Sequence, residues 1–109
     1  MKKVSYNQKE VTAYFKDILG EPEFEYDHIP KRRFRLDIAW PGYRIGIEVQ
    51  GGLWIKGAHS TGAGIIRDME KRNLSLINGW SVLERQPKEL LTEATRQMLK
   101  DLVRRRGDA

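Results

Sequence analysis

Phe34-Arg35-Leu36-Asp37-Ile38-Ala39-Trp40-Pro41-Gly42-Tyr43-Arg44-Ile45-Gly46-Ile47-Glu48-Val49-Gln50 is the stretch whose reading decides the fold. Phe34 to Trp40 and Tyr43 to Gln50 each alternate in side-chain character, as strands with two unlike faces do, and Pro41-Gly42 supplies a turn between them. A tight hairpin about Pro41-Gly42 sets Asp37 opposite the stretch from Gly46 to Glu48. Glu48 and Gln50, two residues apart, share one face of their strand. Asp37, Glu48 and Gln50 therefore converge.

Elements on either side complete an α/β pattern. Upstream, Ser5 and Gln8 have the spacing of a capping box, and Val11, Tyr14, Phe15, Ile18 and Leu19 recur at helical intervals before Gly20 and Pro22 end the run. Glu23 to Ile29 alternates as a strand with Phe24 and Tyr26 on one side, and Pro30 closes it. Downstream, Gly51 to Gly64 reads as a glycine-rich loop. Ile65, Ile66, Met69, Arg72, Asn73, Leu76 and Ile77 then place mostly apolar residues at helical spacing, in a helix that Gly79 caps. Trp80 to Leu83 reads as a further strand, and Pro87 opens one last helix through Leu90, Leu91, Ala94, Met98, Leu102 and Val103. The expected order is α-β-β-β-α-β-α, a single domain over residues 1–109.

Composition agrees with one soluble core. The chain has 109 residues, 39% hydrophobic and 32% charged, enough for a single core. Twenty Lys and Arg against 15 Asp and Glu leave a net charge of +5, which favours a polyanionic partner. With no cysteine, disulfides and thiolate zinc sites are excluded. No signal-peptide core and no apolar run of membrane-spanning length stands out, so a cytoplasmic protein without a membrane partner is expected.

Two carboxylates on paired strands suit a hard divalent cation such as Mg2+, which takes oxygen ligands and retains water. Such an ion polarises a phosphodiester, lowers the pKa of an attacking water and neutralises the leaving oxygen. Asp37 and Glu48 would be its ligands, with the Val49 carbonyl a third. The Gln50 amide has no titratable proton and would orient water or phosphate. Spacing alone fits equally two solvent-facing charges on half-buried strands.

Arg33 to Pro41, Ile47-Glu48-Val49-Gln50-Gly51-Gly52, Asp68 to Asn73 and Gly79 to Leu83 together resemble a group of small endonuclease-like proteins common in phages and prophages. These are similar to very short patch repair endonucleases and belong to the PD-(D/E)XK superfamily. The resemblance runs from about Glu25 to Leu83. It implies a restriction-endonuclease-like fold, an α-β-β-β-α-β core followed by a helix, and a Mg2+- or Mn2+-dependent endonuclease acting on DNA in the cytoplasm of a bacterial host. The superfamily's usual lysine two residues after the glutamate is Gln50 here, which leaves the proton-handling group to be found elsewhere.

Two residues are candidates for that role, His59 in the glycine-rich loop and Lys71 on the following helix. An exposed loop histidine, and a surface ion pair between Lys71 and Asp68, fit the same positions. Asp68 and Asn73 belong to the same motif, and Glu10 stands where the first helix of the superfamily often turns a carboxylate to the metal. Lys31-Arg32-Arg33, just before the hairpin, would grip phosphates, whereas Arg104 to Arg106 read as a solvated helix end. Trp54 and Trp80 read as packing residues. A homodimer is expected because a small domain has one active site and cutting two strands needs two. The alternative is a catalytically weak nucleic-acid-binding module that retains the fold.

Overall fold

The computed structural model describes residues 6–51 and 62–107. The elements, in order, are α1 (Gln8–Leu19), β1 (Glu23–Asp27), β2 (Arg35–Trp40), β3 (Ile45–Val49), α2 (Gly62–Ile77), β4 (Ser81–Arg85), α3 (Pro87–Leu90) and α4 (Glu93–Gly107). The four strands form one mixed sheet in chain order, β1-β2-β3-β4. β1 and β2 are antiparallel, as are β2 and β3, while β4 runs parallel to β3 after the α2 crossover. Among the described residues no helix is long and apolar enough to cross a membrane.

One face of the sheet carries the main core. Ile38, Trp40, Ile45, Ile47 and Val49 point to Val11, Phe15 and Leu19 of α1, Leu90 of α3 and Leu99 of α4. Phe15 meets the Trp40 ring edge-on at 6.0 Å, and the Trp40 indole N–H donates to Gly20 O at 2.9 Å, so this large ring is buried with its polar atom satisfied. α1 and α4 are also clamped by Arg96, whose guanidinium makes a two-pronged contact with Asp17 at 2.9 and 2.6 Å. The other face holds a smaller cluster of Leu36, Ala39 and Trp80, with Tyr26 and Val82 against it.

Several local expectations are corrected. The α1 cap is Asn7, whose side chain accepts from Glu10 N at 3.1 Å; Ser5 lies outside the described residues. Phe24 and Tyr26 do not share a side. Phe24 joins the main core and Tyr26 the smaller cluster, because Glu25 between them adopts a left-handed φ of 50° that resets the alternation. The hairpin connection is Pro41 to Arg44 rather than Pro41-Gly42 alone. Tyr43 N and Arg44 N turn back to Trp40 O and Pro41 O, and Arg44 closes the turn at φ 54°. α2 starts at Gly62, two residues before the loop was expected to end.

The final helix is two. Thr92 breaks it, donating its hydroxyl to Glu89 O at 2.7 Å while accepting from Thr95 N at 3.3 Å, which ends α3 and caps α4. Arg106 is not a solvated end: its guanidinium reaches Arg44 O, Gly79 O and Ser81 Oγ, tying α4 to the hairpin turn and to β4. Gly79, at φ 81°, caps α2 as expected, with Gly79 N bonded to Leu76 O and Trp80 N to Ser75 O.

Gly46 tests how tightly the strands are packed. A Cβ there would lie 2.6 Å from Leu36 Cδ1 and 3.1 Å from Ile38 O, and Leu36 is fully buried. Gly46→Ala is therefore expected to destabilise the fold by about 1–3 kcal/mol, the usual range for overpacking. Thermal unfolding should register this as a drop of roughly 4–8 °C per kcal/mol. An unchanged melting temperature would show that Leu36 yields.

Candidate active site

The β2–β3 ladder pairs Trp40 with Ile45, Ala39 with Gly46 and Ile38 with Ile47. Continued by one step, this register puts Asp37 opposite Glu48. The two extra residues in the turn cause this, since a two-residue turn at Pro41-Gly42 would have put Gly46 there. At this step side chains replace the regular backbone bonds. Asp37 Oδ2 accepts from Val49 N at 2.7 Å, and Glu48 Oε1 accepts from Asp37 N at 3.3 Å. Asp37 is 1% exposed and Glu48 half-buried. The strained Glu25 falls on the other side of Asp37, between the pairs Phe24–Ile38 and Tyr26–Leu36, so both neighbours of β2 depart from regular geometry at this level.

Tyr6 reaches the same point from the start of α1. Its hydroxyl donates to Asp37 O at 3.3 Å while its ring stacks with Phe24. Burial, then the charges of Asp37, Glu25 and Glu48, push its pKa well above the normal phenol range, so it remains a donor.

Lys71 comes from α2. Its ammonium donates to Glu48 Oε1 at 3.0 Å and to Arg35 O, with both partners of the ion pair largely covered. One turn along, Ser75 Oγ donates to Lys71 O at 2.8 Å and lies 2.7 Å from His28 Nε2. The hydroxyl has a single proton, so His28 Nε2–H is the donor in that second contact. His28 is buried against the edge of Trp80, and burial, followed by the Lys71 charge, lowers its pKa. A neutral imidazole thus holds the α2 backbone at the level of Lys71.

Between α2 and the sheet lies an open cavity of about 490 Å3. Glu48, Gln50, Asp68, Lys71, Arg72 and Glu84 line its polar side, and Leu36, Leu76, Trp80, Val82 and Leu102 its apolar side. Gln50 lies just past the end of β3. It shares this cavity with Glu48, but its amide donates to Glu84 Oε1 at 2.8 Å, and Arg72 Nε holds the other oxygen of Glu84 at 3.2 Å. Glu10 and Asn73 are exposed and do not line the cavity. Among the described residues no group of three His, Asp or Glu side chains gathers at metal-binding distance. His59 and Trp54 lie outside the described residues, whereas Trp80 is buried as a packing residue.

Lys31, Arg32 and Arg33 form the exposed turn between β1 and β2, with Lys31 at φ 62°. Arg32 pairs with Glu70 at 2.5 Å and lies over the Phe34 ring, 4.6 Å from its centre. Arg67, one turn before Lys71, lies 4.7 Å from the centre of the same ring. Two cations thus lie against the Phe34 ring. Sequence reasoning missed Arg67, His28, Ser75 and Tyr6. Of these Tyr6 had a usable signal, since an aromatic residue just before the Asn7 cap and Val11 after it have hydrophobic-staple spacing. No family model matches the chain, and no curated protein or solved structure matches it.

Proposed function

We propose that this chain is a metal-dependent nuclease of the PD-(D/E)XK type that hydrolyses DNA phosphodiester bonds, with Asp37 and Glu48 holding Mg2+ or Mn2+. The observation that carries the proposal is the opening of the β2–β3 ladder at Asp37, where a second carboxylate and the Lys71 ammonium meet. The α-β-β-β-α-β order supports a restriction-endonuclease-like fold. A non-glycine residue in left-handed geometry beside a buried carboxylate is the kind of strain that concentrates at functional sites.

The donor set fits the ion. Mg2+ is commonly held by one or two carboxylates and keeps its remaining waters, and here the Asp37 carboxylate accepts from Val49 N and the Glu48 carboxylate from Asp37 N, on facing residues of adjacent strands. When bound, the ion would supply charge to the scissile phosphate and acidify the attacking water. The protein's own residues do the rest. Val49 N fixes the Asp37 carboxylate, Tyr6 fixes the backbone behind it, and Lys71 provides the cationic N–H group that Gln50 cannot. With its amide engaged by Glu84, Gln50 acts on the cavity wall.

A divalent-dependent nicking assay on supercoiled, linear, single-stranded and branched DNA tests this directly, with chelated samples as the control. Cleavage in Mg2+ or Mn2+ is expected, and no cleavage of any substrate would refute it. The second reading is a catalytically weak nucleic-acid-binding module that retains the fold. It is favoured by Gln50 in place of lysine and predicts binding without cutting.

The basic turn adds an expectation common to both. Replacing Lys31, Arg32 and Arg33 by alanine should weaken DNA binding and flatten its salt dependence. The log–log slope should change by about 2 rather than 3, because Arg32 is already engaged by Glu70. Titrations at several salt concentrations measure this, and an unchanged slope would remove the turn from the interface.

A further inference from the structure

The apolar stripe of α2 is largely uncovered, although Leu76 borders the cavity beside Glu48 and Lys71 and Ile65 borders a neighbouring hollow with Gln50 and Glu84. Ile65, Ile66, Met69, Leu76 and Ile77 are between 46% and 76% exposed, although they are the residues whose periodicity predicts a buried face. At 3.6 residues per turn they occupy, with Asn73, roughly one third of the helix circumference. The opposite side of the helix turns Lys71 and Ser75 to Glu48, Arg35 and His28, and Ser75 is the buried residue of α2. The helix is amphipathic, but its polar side packs inward and its apolar side is presented outward.

We propose that this face is the interface of a homodimer, with α2 of one protomer packed against α2 of a second copy across a two-fold axis. Area favours that occupant. Five large side chains at these exposures present roughly 600 Å2, at the upper limit of the largest patch on ordinary monomers. Two copies face to face would bury about 1,200 Å2, which reaches the lower bound of specific interfaces. The patch also has no charge of its own with which to select an unlike partner. Its flanking residues Glu70 and Arg72 are already paired within the chain, to Arg32 and Glu84. A neutral apolar stripe is complementary to itself, which is the requirement of an isologous contact. Lys71 lies on the other side of the helix, whereas Leu76 borders the cavity of the candidate site, so the interface would run along one edge of that cavity.

Sedimentation of the full chain from about 1 to about 200 µM reads the assembly independently of any activity, so its failure is distinct from failure of the nuclease reading. A dimer that dissociates on dilution is expected. The double variant Ile66→Glu/Ile77→Glu should remain monomeric across the range with an unchanged circular dichroism spectrum. If that variant fails to fold, crosslinking decides. The chain has no cysteine, so Met69→Cys should oxidise to a covalent dimer much faster than Arg105→Cys, placed on the exposed end of α4. A wild-type monomer at about 200 µM, a dimer that survives the double substitution, or equal crosslinking of the two cysteine variants would each overturn the proposal. Capture of a different protein by this face in place of self-association would overturn it as well.

Discussion

Asp37→Asn and Glu48→Gln are each expected to lower divalent-dependent cleavage by at least about a thousandfold, a barrier change near 4 kcal/mol. Each removes half of the anionic charge that would hold the ion while keeping the size of the side chain. Their effects on the metal-free protein should differ. In Asp37→Asn an amide oxygen can still accept from Val49 N, so the substitution relieves like-charge repulsion with little loss and should leave the melting temperature unchanged or slightly raised. Glu48→Gln strips Lys71 of its counter-ion in a largely covered position, and should cost about 1 kcal/mol. Binding of DNA in chelator should survive in both, since the basic turn is untouched. Calorimetric titration with Mn2+ alongside the cleavage assay checks both halves. Full cleavage by either variant refutes the site, and undiminished metal binding in both would locate any ion elsewhere.

The second large effect belongs to Lys71. Lys71→Ala should reduce turnover by at least about tenfold at saturating metal, roughly 1.4 kcal/mol. It should also tighten Mn2+ binding by up to about fivefold, because the ammonium competes with the ion for Glu48 Oε1 and a covered ion pair of this kind is worth about 1 kcal/mol. Weaker catalysis with tighter metal binding is a combination that mere loss of structure does not produce. Lys71→Arg separates two roles: a guanidinium keeps the charge but does not release a proton, so full rescue would assign Lys71 an electrostatic role alone. His59→Ala provides the comparison. If neither Lys71→Ala nor His59→Ala lowers turnover by about tenfold, the proton-handling assignment is wrong.

How much of this was legible in the sequence depends on the range of the forces involved. Strand alternation and turn residues are local, so the Asp37–Glu48 juxtaposition could be read from the hairpin, although the turn length was short by two residues. Gly79 could be read as a cap because the left-handed position at a helix end has a strong residue preference. The reset at Glu25 could not, because nothing about Glu favours positive φ. Its consequence, Phe24 and Tyr26 entering different cores, is visible only in the packing. Which side of α2 packs inward could not be read for a related reason: periodicity reports that a helix has an apolar side, not what that side meets. Thr92 could have been read as a cap, but the apolar spacing of Leu90, Leu91 and Ala94 ran through it. Arg106 and Tyr6 act over long sequence separations, which composition and spacing do not encode.

A sheet laid out in chain order also sets an order of events. Asp37 and Glu48 are 11 residues apart, and a hairpin of that span closes in about 1–10 µs. Lys71 is a further 23 residues along, on the crossover helix of a parallel pair, whose loop-closure entropy makes it the slower step. We therefore expect the two carboxylates to meet while the chain is still folding and before the Lys71 ammonium arrives. During that interval the nascent hairpin would hold two like charges close together, and the Lys71 ammonium, arriving last, would relieve that repulsion.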